Sequence, residues 1–113
     1  MVEDEIIAVQ LSKGLRKELK IICTQKGITM RSAIVDEINN ILNNNEPMYN
    51  CPTPDQSERC NLMIHMDYEL LSTIREKRRN EINFRIRNLC ITAIINFISK
   101  NESKYDFQKD IEE

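Results

Sequence analysis

One apolar pattern is written twice in this chain, and the repeat limits the folds open to it more than any single residue does. At an offset of 55 residues, Ile7-Ala8-Val9-Gln10-Leu11-Ser12 falls on Leu62-Met63-Ile64-His65-Met66-Asp67. Leu15 and Leu19 fall on Leu70 and Ile74, Ile34 and Ile38 on Leu89 and Ala93, and Leu42 on Phe97. Few residues are identical between the copies, so what repeats is the spacing of apolar side chains.

Each copy opens with strict alternation. Ile7, Val9 and Leu11, then Leu62, Ile64 and Met66, point to one face, and the residues between them to the other. Period two over five or six residues predicts a half-buried strand. Ser12 and Asp67 then stand as N-caps of a first helix carrying Leu15, Leu19 and Ile22, or Leu70, Leu71 and Ile74, at helical spacing. Gly27 ends that helix in copy one, with Asn80 in the same role in copy two. A second helix is predicted from the cap Thr29 to about Asn43, and from near Asn83 to about Ser99. The turn residues Ile28 and Ile82 match at 54 rather than 55, so the start of that helix is expected to differ by a residue between copies.

These signals divide the chain into a first motif (5–43), a linker (44–59), a second motif (60–99) and an acidic tail (100–113). The linker holds all three prolines and a run of Asn. Fully extended, it reaches roughly 50 Å, enough to cross a domain of this size. In the tail, Tyr105, Phe107 and Ile111 are spaced loosely, compatible with a short amphipathic helix or with no fixed structure.

Composition removes several functions. Two glycines in 113 residues leave no Gly-rich phosphate loop. A single histidine, His65, has no carboxylate or cysteine pattern beside it, so neither a catalytic base nor a metal ligand is expected there, and no enzyme, metal site or cofactor is foreseen. Cys23, Cys51, Cys60 and Cys90 lie nine or more residues apart, against the close pairs of a zinc site. Cys23 and Cys90 read as small core residues, and whether any cysteines pair stays open. The acidic start MVEDE and the lack of a long apolar run point to a cytoplasmic protein with no membrane partner.

A net charge of −2 argues at first against nucleic acid, but it is an average. Residues 1–58 carry six Lys/Arg and nine Asp/Glu, residues 59–98 seven and four, and residues 99–113 three and five. The second copy is basic between acidic flanks. Weak non-specific DNA binding is the expected consequence, with target choice resting on particular contacts.

A strand followed by two helices cannot close a core alone, because its strand has no ladder partner. Two copies pairing antiparallel give a two-stranded ribbon backed by four helices. The expected fold is therefore mainly α with a two-stranded antiparallel ribbon, the two motifs forming an intramolecular pseudo-dimer. Such a ribbon fits the major groove of B-DNA.

The segment IIAVQLSKGLRKELKIICTQKGITMRSAIVDEINNIL resembles the ribbon-helix-helix transcription regulators, the MetJ, Arc and CopG group, above all in the turn Gly27-Ile28-Thr29-Met30-Arg31-Ser32. Copy two, Cys60 to Ile98, matches less closely, with Glu81-Ile82-Asn83-Phe84-Arg85 at the turn. The tandem form is similar to regulators of archaeal viruses, for which the location would be the host cytoplasm. The resemblance implies a repressor or activator that binds double-stranded DNA. Base contacts would come from Ala8, Gln10, Asn61, Met63 and His65. Phosphate contacts would come from Thr29, Met30 and Arg31 and from Asn83, Phe84 and Arg85. Lys13, Arg78 and Arg79 are additional basic candidates; the run Arg75–Arg79 reads equally as a solvated helix end. No basic residue lies among the outward strand positions, a departure from many family members. One unit reads few base pairs, so self-association along DNA is expected. The alternative is an antitoxin-like protein that binds DNA and holds a protein partner through its tail.

Overall fold

The computed structural model describes residues 5–111. It contains a two-stranded antiparallel sheet and four helices, with a radius of gyration of 13.6 Å. The order is β1 (Glu5–Ser12), α1 (Lys13–Lys26), α2 (Met30–Asn44), β2 (Arg59–Met66), α3 (Tyr68–Asn80) and α4 (Ile86–Lys100), with a short 3-10 turn at Gln108–Asp110. Strand–helix–helix thus occurs twice.

The two strands find their ladder in each other, from Glu5 opposite Met66 to Ser12 opposite Arg59. Alternation sends Val9, Leu11, Leu62, Ile64 and Met66 into the core, each no more than 5% exposed, and leaves the other face open. Ile7, at the end of the buried row, is only partly covered.

Local chemistry sets three of the helix starts. Ser12 Oγ accepts from the Leu15 amide at 3.1 Å, Thr29 Oγ1 from Ser32 at 3.0 Å and Asp67 Oδ1 from Leu70 at 2.8 Å. Each satisfies one donor that a helix start leaves without an internal partner. At the end of α1, Gly27 takes φ = +69°, the left-handed cap that lets the chain turn into α2 after three residues.

The fourth start departs from the expectation. Without a glycine, α3 runs through Asn80 and exits at Glu81 in extended backbone, φ = −125°. The connection then takes five residues, Glu81–Arg85, and α4 begins at Ile86 rather than near Asn83. Phe84 plugs the longer loop: its side chain is 5% exposed and its amide donates to the Glu81 carbonyl at 3.2 Å. Arg85 occupies the N-cap and makes no side-chain cap. Met30 and Ile86 stand 56 apart, so the helix start shifts by one residue from the 55 repeat, but later in copy two rather than earlier as the 54 match of Ile28 and Ile82 implied.

The principal helix–helix contact is α2 on α4. Ile34, Ile38 and Ile41 meet a helix whose Leu89 to Ile95 are all buried. A helix apolar on every side needs covering on every side. Linker and tail contribute to that cover. The Tyr49 amide donates to Thr92 Oγ1 at 2.9 Å and the Cys51 amide to Asn88 Oδ1 at 3.2 Å, laying the linker along α4 as an ordered strap. Tyr105, Phe107 and Ile111 pack on the core from the tail, held by the short 3-10 turn in place of an amphipathic helix. The Tyr105 hydroxyl donates to Asp110 Oδ2 at 2.8 Å and lies 3.3 Å from Ser12 Oγ, so the tail closes over the start of α1.

All four cysteines are free thiols, and only Cys60 is more than marginally exposed. Burial pushes Cys51 up to about 11 and Cys90 to about 12. Among the described residues no helix is long and apolar enough to cross a membrane.

Candidate nucleic-acid interface

The open face of the ribbon collects the residues expected to read bases. In register, Gln10 stands opposite Asn61, Ala8 opposite Met63 and Ile6 opposite His65, and all six are exposed. Contrary to the expectation of no basic residue there, β2 begins at Arg59, half-buried on the same alternation and opposite Ser12. Ile6 had no place among the expected readers. It continues the alternation of Ala8 and Gln10 by one step and lies 55 residues before Asn61, so the repeat itself contained the signal.

The two outer edges of the ribbon are each met by the start of a helix. Arg31, on the first turn of α2, donates from Nε to the His65 carbonyl at 2.8 Å. Arg87, on the first turn of α4, donates from Nε to the Gln10 carbonyl at 2.9 Å. His65 and Gln10 are 55 residues apart, and Arg31 and Arg87 are 56 apart, so the two bonds correspond through the repeat. Arg87 was not among the expected phosphate contacts, because an offset of 55 aligns Arg31 with Ile86; the connection of five residues in place of three, after a first helix one residue shorter, brings Arg87 into the matching place.

The expected phosphate residues separate accordingly. Thr29, Met30 and Arg31 sit together at the start of α2, whose first amides precede any internal hydrogen bond. On the other side Asn83 lies in the loop before the helix, and Phe84 is buried with its amide already bonded, so neither belongs to the start of α4. That place is taken by Arg85, Ile86 and Arg87. With no side-chain cap, the first-turn amides of α4 are left to solvent or to an anion.

Beside the start of α4 opens a cleft of about 510 Å³ lined by Arg78, Arg85 and Arg87 together with Asn50, Thr53 and Asn88. The linker forms one wall. Arg87 donates through Nη1 to the Cys51 carbonyl and through Nη2 to the Pro52 carbonyl, the latter at 3.0 Å. Partial burial lowers the pKa of Arg87, a shift the neighbouring Cys51 opposes, but a guanidinium so placed stays charged. Arg31 is exposed and has no such strap.

The rest of the basic run is partly spoken for. Arg75 donates from Nη2 to both carboxylate oxygens of Glu5, at 2.8 and 2.9 Å, and Lys77 pairs with Glu81 at 2.8 Å. Arg78 and Arg79 remain exposed, with no ion pair among the described residues. Lys13 turns its ammonium to the Ser57 carbonyl at 2.9 Å and so ties α1 to the end of the linker.

No protein-family model, curated protein or solved structure matches this chain.

Proposed function

We propose that this chain is a sequence-specific double-stranded-DNA-binding transcription regulator of the ribbon-helix-helix kind, its two motifs forming one pseudo-twofold unit. The observation that carries the reading is the exposed ribbon face with a helix start and an arginine at each edge. A register centred on Ala8 opposite Met63 suits an internal twofold, since those two residues are themselves 55 apart.

On this reading the ribbon enters the major groove, about 12 Å wide, and its outward side chains reach base edges. Phosphates on either side meet the amides at the starts of α2 and α4, with Arg31, Arg85 and Arg87 supplying charge. Carbonyl bonds from Nε leave the remaining guanidinium nitrogens of Arg31 directed elsewhere, and a phosphate oxygen is a strong acceptor for them. Arg78 and Arg79 extend the basic edge of the second motif. Because one unit covers few base pairs, units bind side by side along DNA.

The tail offers less support for a protein partner. Its Tyr105, Phe107 and Ile111 are packed against the chain's own core.

The deciding experiment is salt-dependent binding to the DNA upstream of the protein's own gene. Gln10→Ala and His65→Ala should each weaken specific binding by about 1–3 kcal/mol and leave non-specific binding unchanged. Unchanged specific affinity in both variants would remove the ribbon from the interface.

A further inference from the structure

The two ends of the ribbon's open face carry different chemistry. Towards one end the side-chain amides of Gln10 and Asn61 stand opposite each other, with Arg59 opposite Ser12 beyond them; at the other end Ile6 stands opposite His65. Met63 lies opposite Ala8 in the middle and diagonal to Ile6, within reach across the strands. Ile6, Ala8 and Met63 therefore make a continuous apolar strip running from the centre to one end only.

That strip is not demanded by folding. The opposite face of the same strands already fills the core, yet Ile6 is 57% and Met63 59% exposed. The amides at the other end are equally uncommitted: among the described residues neither Gln10 nor Asn61 has a side-chain hydrogen-bond partner. A side-chain amide presents one donor and one acceptor in a plane, which complements N7 and the N6 amino group of adenine. An apolar side chain complements the thymine 5-methyl group, the one apolar feature of the major groove.

Resting on the reading of this face as a major-groove reader, we propose that the ribbon recognises a directional A·T-containing site, with adenine beneath the Gln10/Asn61 end and thymine methyl groups beneath the Ile6/Met63 strip. Two identical strands would present one chemistry at both ends and select a palindrome. This chain does not, and the covalent connection of its strands fixes which end is which.

The test uses the full chain and a random-sequence duplex pool, followed by base analogues in the selected site. Deoxyuridine removes the thymine methyl without altering pairing, and 7-deazaadenine removes the N7 acceptor. The selected sequence should lack dyad symmetry. Deoxyuridine at one end should weaken binding about fourfold, the worth of one buried methyl-sized group, and Ile6→Ala or Met63→Ala should abolish that sensitivity. Deazaadenine at the other end should weaken binding about tenfold, and Gln10→Ala or Asn61→Ala should abolish that sensitivity. All four positions are exposed, so circular dichroism should show the variants folded. A palindromic selected site, insensitivity to both analogues, or sensitivities that persist in the variants overturns directional readout while DNA binding stands. Failure of the pool to yield any preferred sequence overturns the groove-reading function itself, and this inference with it.

Discussion

Arg87 binds the backbone of both the ribbon and the linker: its Nε reaches the Gln10 carbonyl at 2.9 Å while its two terminal nitrogens reach the carbonyls of Cys51 and Pro52. Arg31, in the corresponding place on α2, reaches only the His65 carbonyl among the described residues, at 2.8 Å. Two arginines that correspond through the repeat therefore carry unequal structural loads.

That inequality predicts a split between stability and binding. Arg87→Ala leaves three carbonyls without their donor and should destabilise the fold by about 1–3 kcal/mol. Arg31→Ala frees one carbonyl at an exposed site and should cost about 0.5–1 kcal/mol. On DNA both variants should bind more weakly across all sequences and lower the salt slope by about one. Urea denaturation and salt-dependent titration measure the two effects separately.

Alkaline pH should loosen the fold in a definite window. Burial, the Asp110 carboxylate and the hydrogen bond to it raise Tyr105 from 10.0 to about 12, while its hydrogen bond with Ser12 pulls the other way. Burial raises Cys90 from 9.0 to about 12, and raises Cys51 to about 11 with a smaller contribution from Asp110 and an opposing one from Arg87. The neutral form is favoured in the folded state of each. Their contribution is thus complete below the unfolded values and is lost as pH rises through the folded ones. These three groups should leave thermal stability unchanged between about pH 7 and pH 8 and lower it between about pH 9 and pH 12. Tyr105→Phe should make that fall shallower; an unchanged pH profile in this variant would show that the tail latch does not titrate.

The core should fail as a unit. Leu89 is fully buried where α4 meets the rest of the core, and among the described residues the strands of the two motifs have no ladder partner but each other. Leu89→Ala should cost about 2–5 kcal/mol. Loss of helix signal and loss of tertiary signal should coincide in one transition, since neither motif can keep its strand paired alone. Two separated transitions would show that the motifs fold independently.

Ile82 stands fully exposed in the loop between α3 and α4, and Ile28 is 39% exposed in the corresponding loop of the first motif. If neighbouring units meet through these tips, Ile82→Asp should leave the affinity of a single unit for a short duplex unchanged. On a long fragment it should flatten the binding curve. A gel-shift titration at two duplex lengths distinguishes the effects.

Much of this architecture was readable from local chemistry. Alternation at Ile7–Leu11 and Leu62–Met66 marked both strands, and Ser12, Thr29, Asp67 and Gly27 marked the caps because each acts on amides or backbone angles within a few residues of itself. What escaped depended on distant partners. The start of α4 was placed too early because burial of Phe84, not a cap, decides where the loop ends. The linker's prolines and asparagines gave no sign that its backbone would bond to Asn88 and Thr92. The all-round apolar character of α4, from Leu89 to Ile98, was the available clue that something had to cover it. The site was legible to the extent that it follows the strand period, which supplied Gln10 and His65. Arg87 was hidden by the same loop that displaced α4.

Both strands of the ribbon belong to one chain, and 46 residues separate the end of the first from the start of the second. Pairing them carries a loop-closure cost, which slows folding but is independent of dilution. A ribbon assembled from two separate chains must wait for an encounter and falls apart as the protein becomes scarce. This one forms from the first molecule made. On the proposed reading, its occupancy of one isolated site should therefore rise in proportion to copy number while that site is mostly empty, without the threshold that dimerisation imposes.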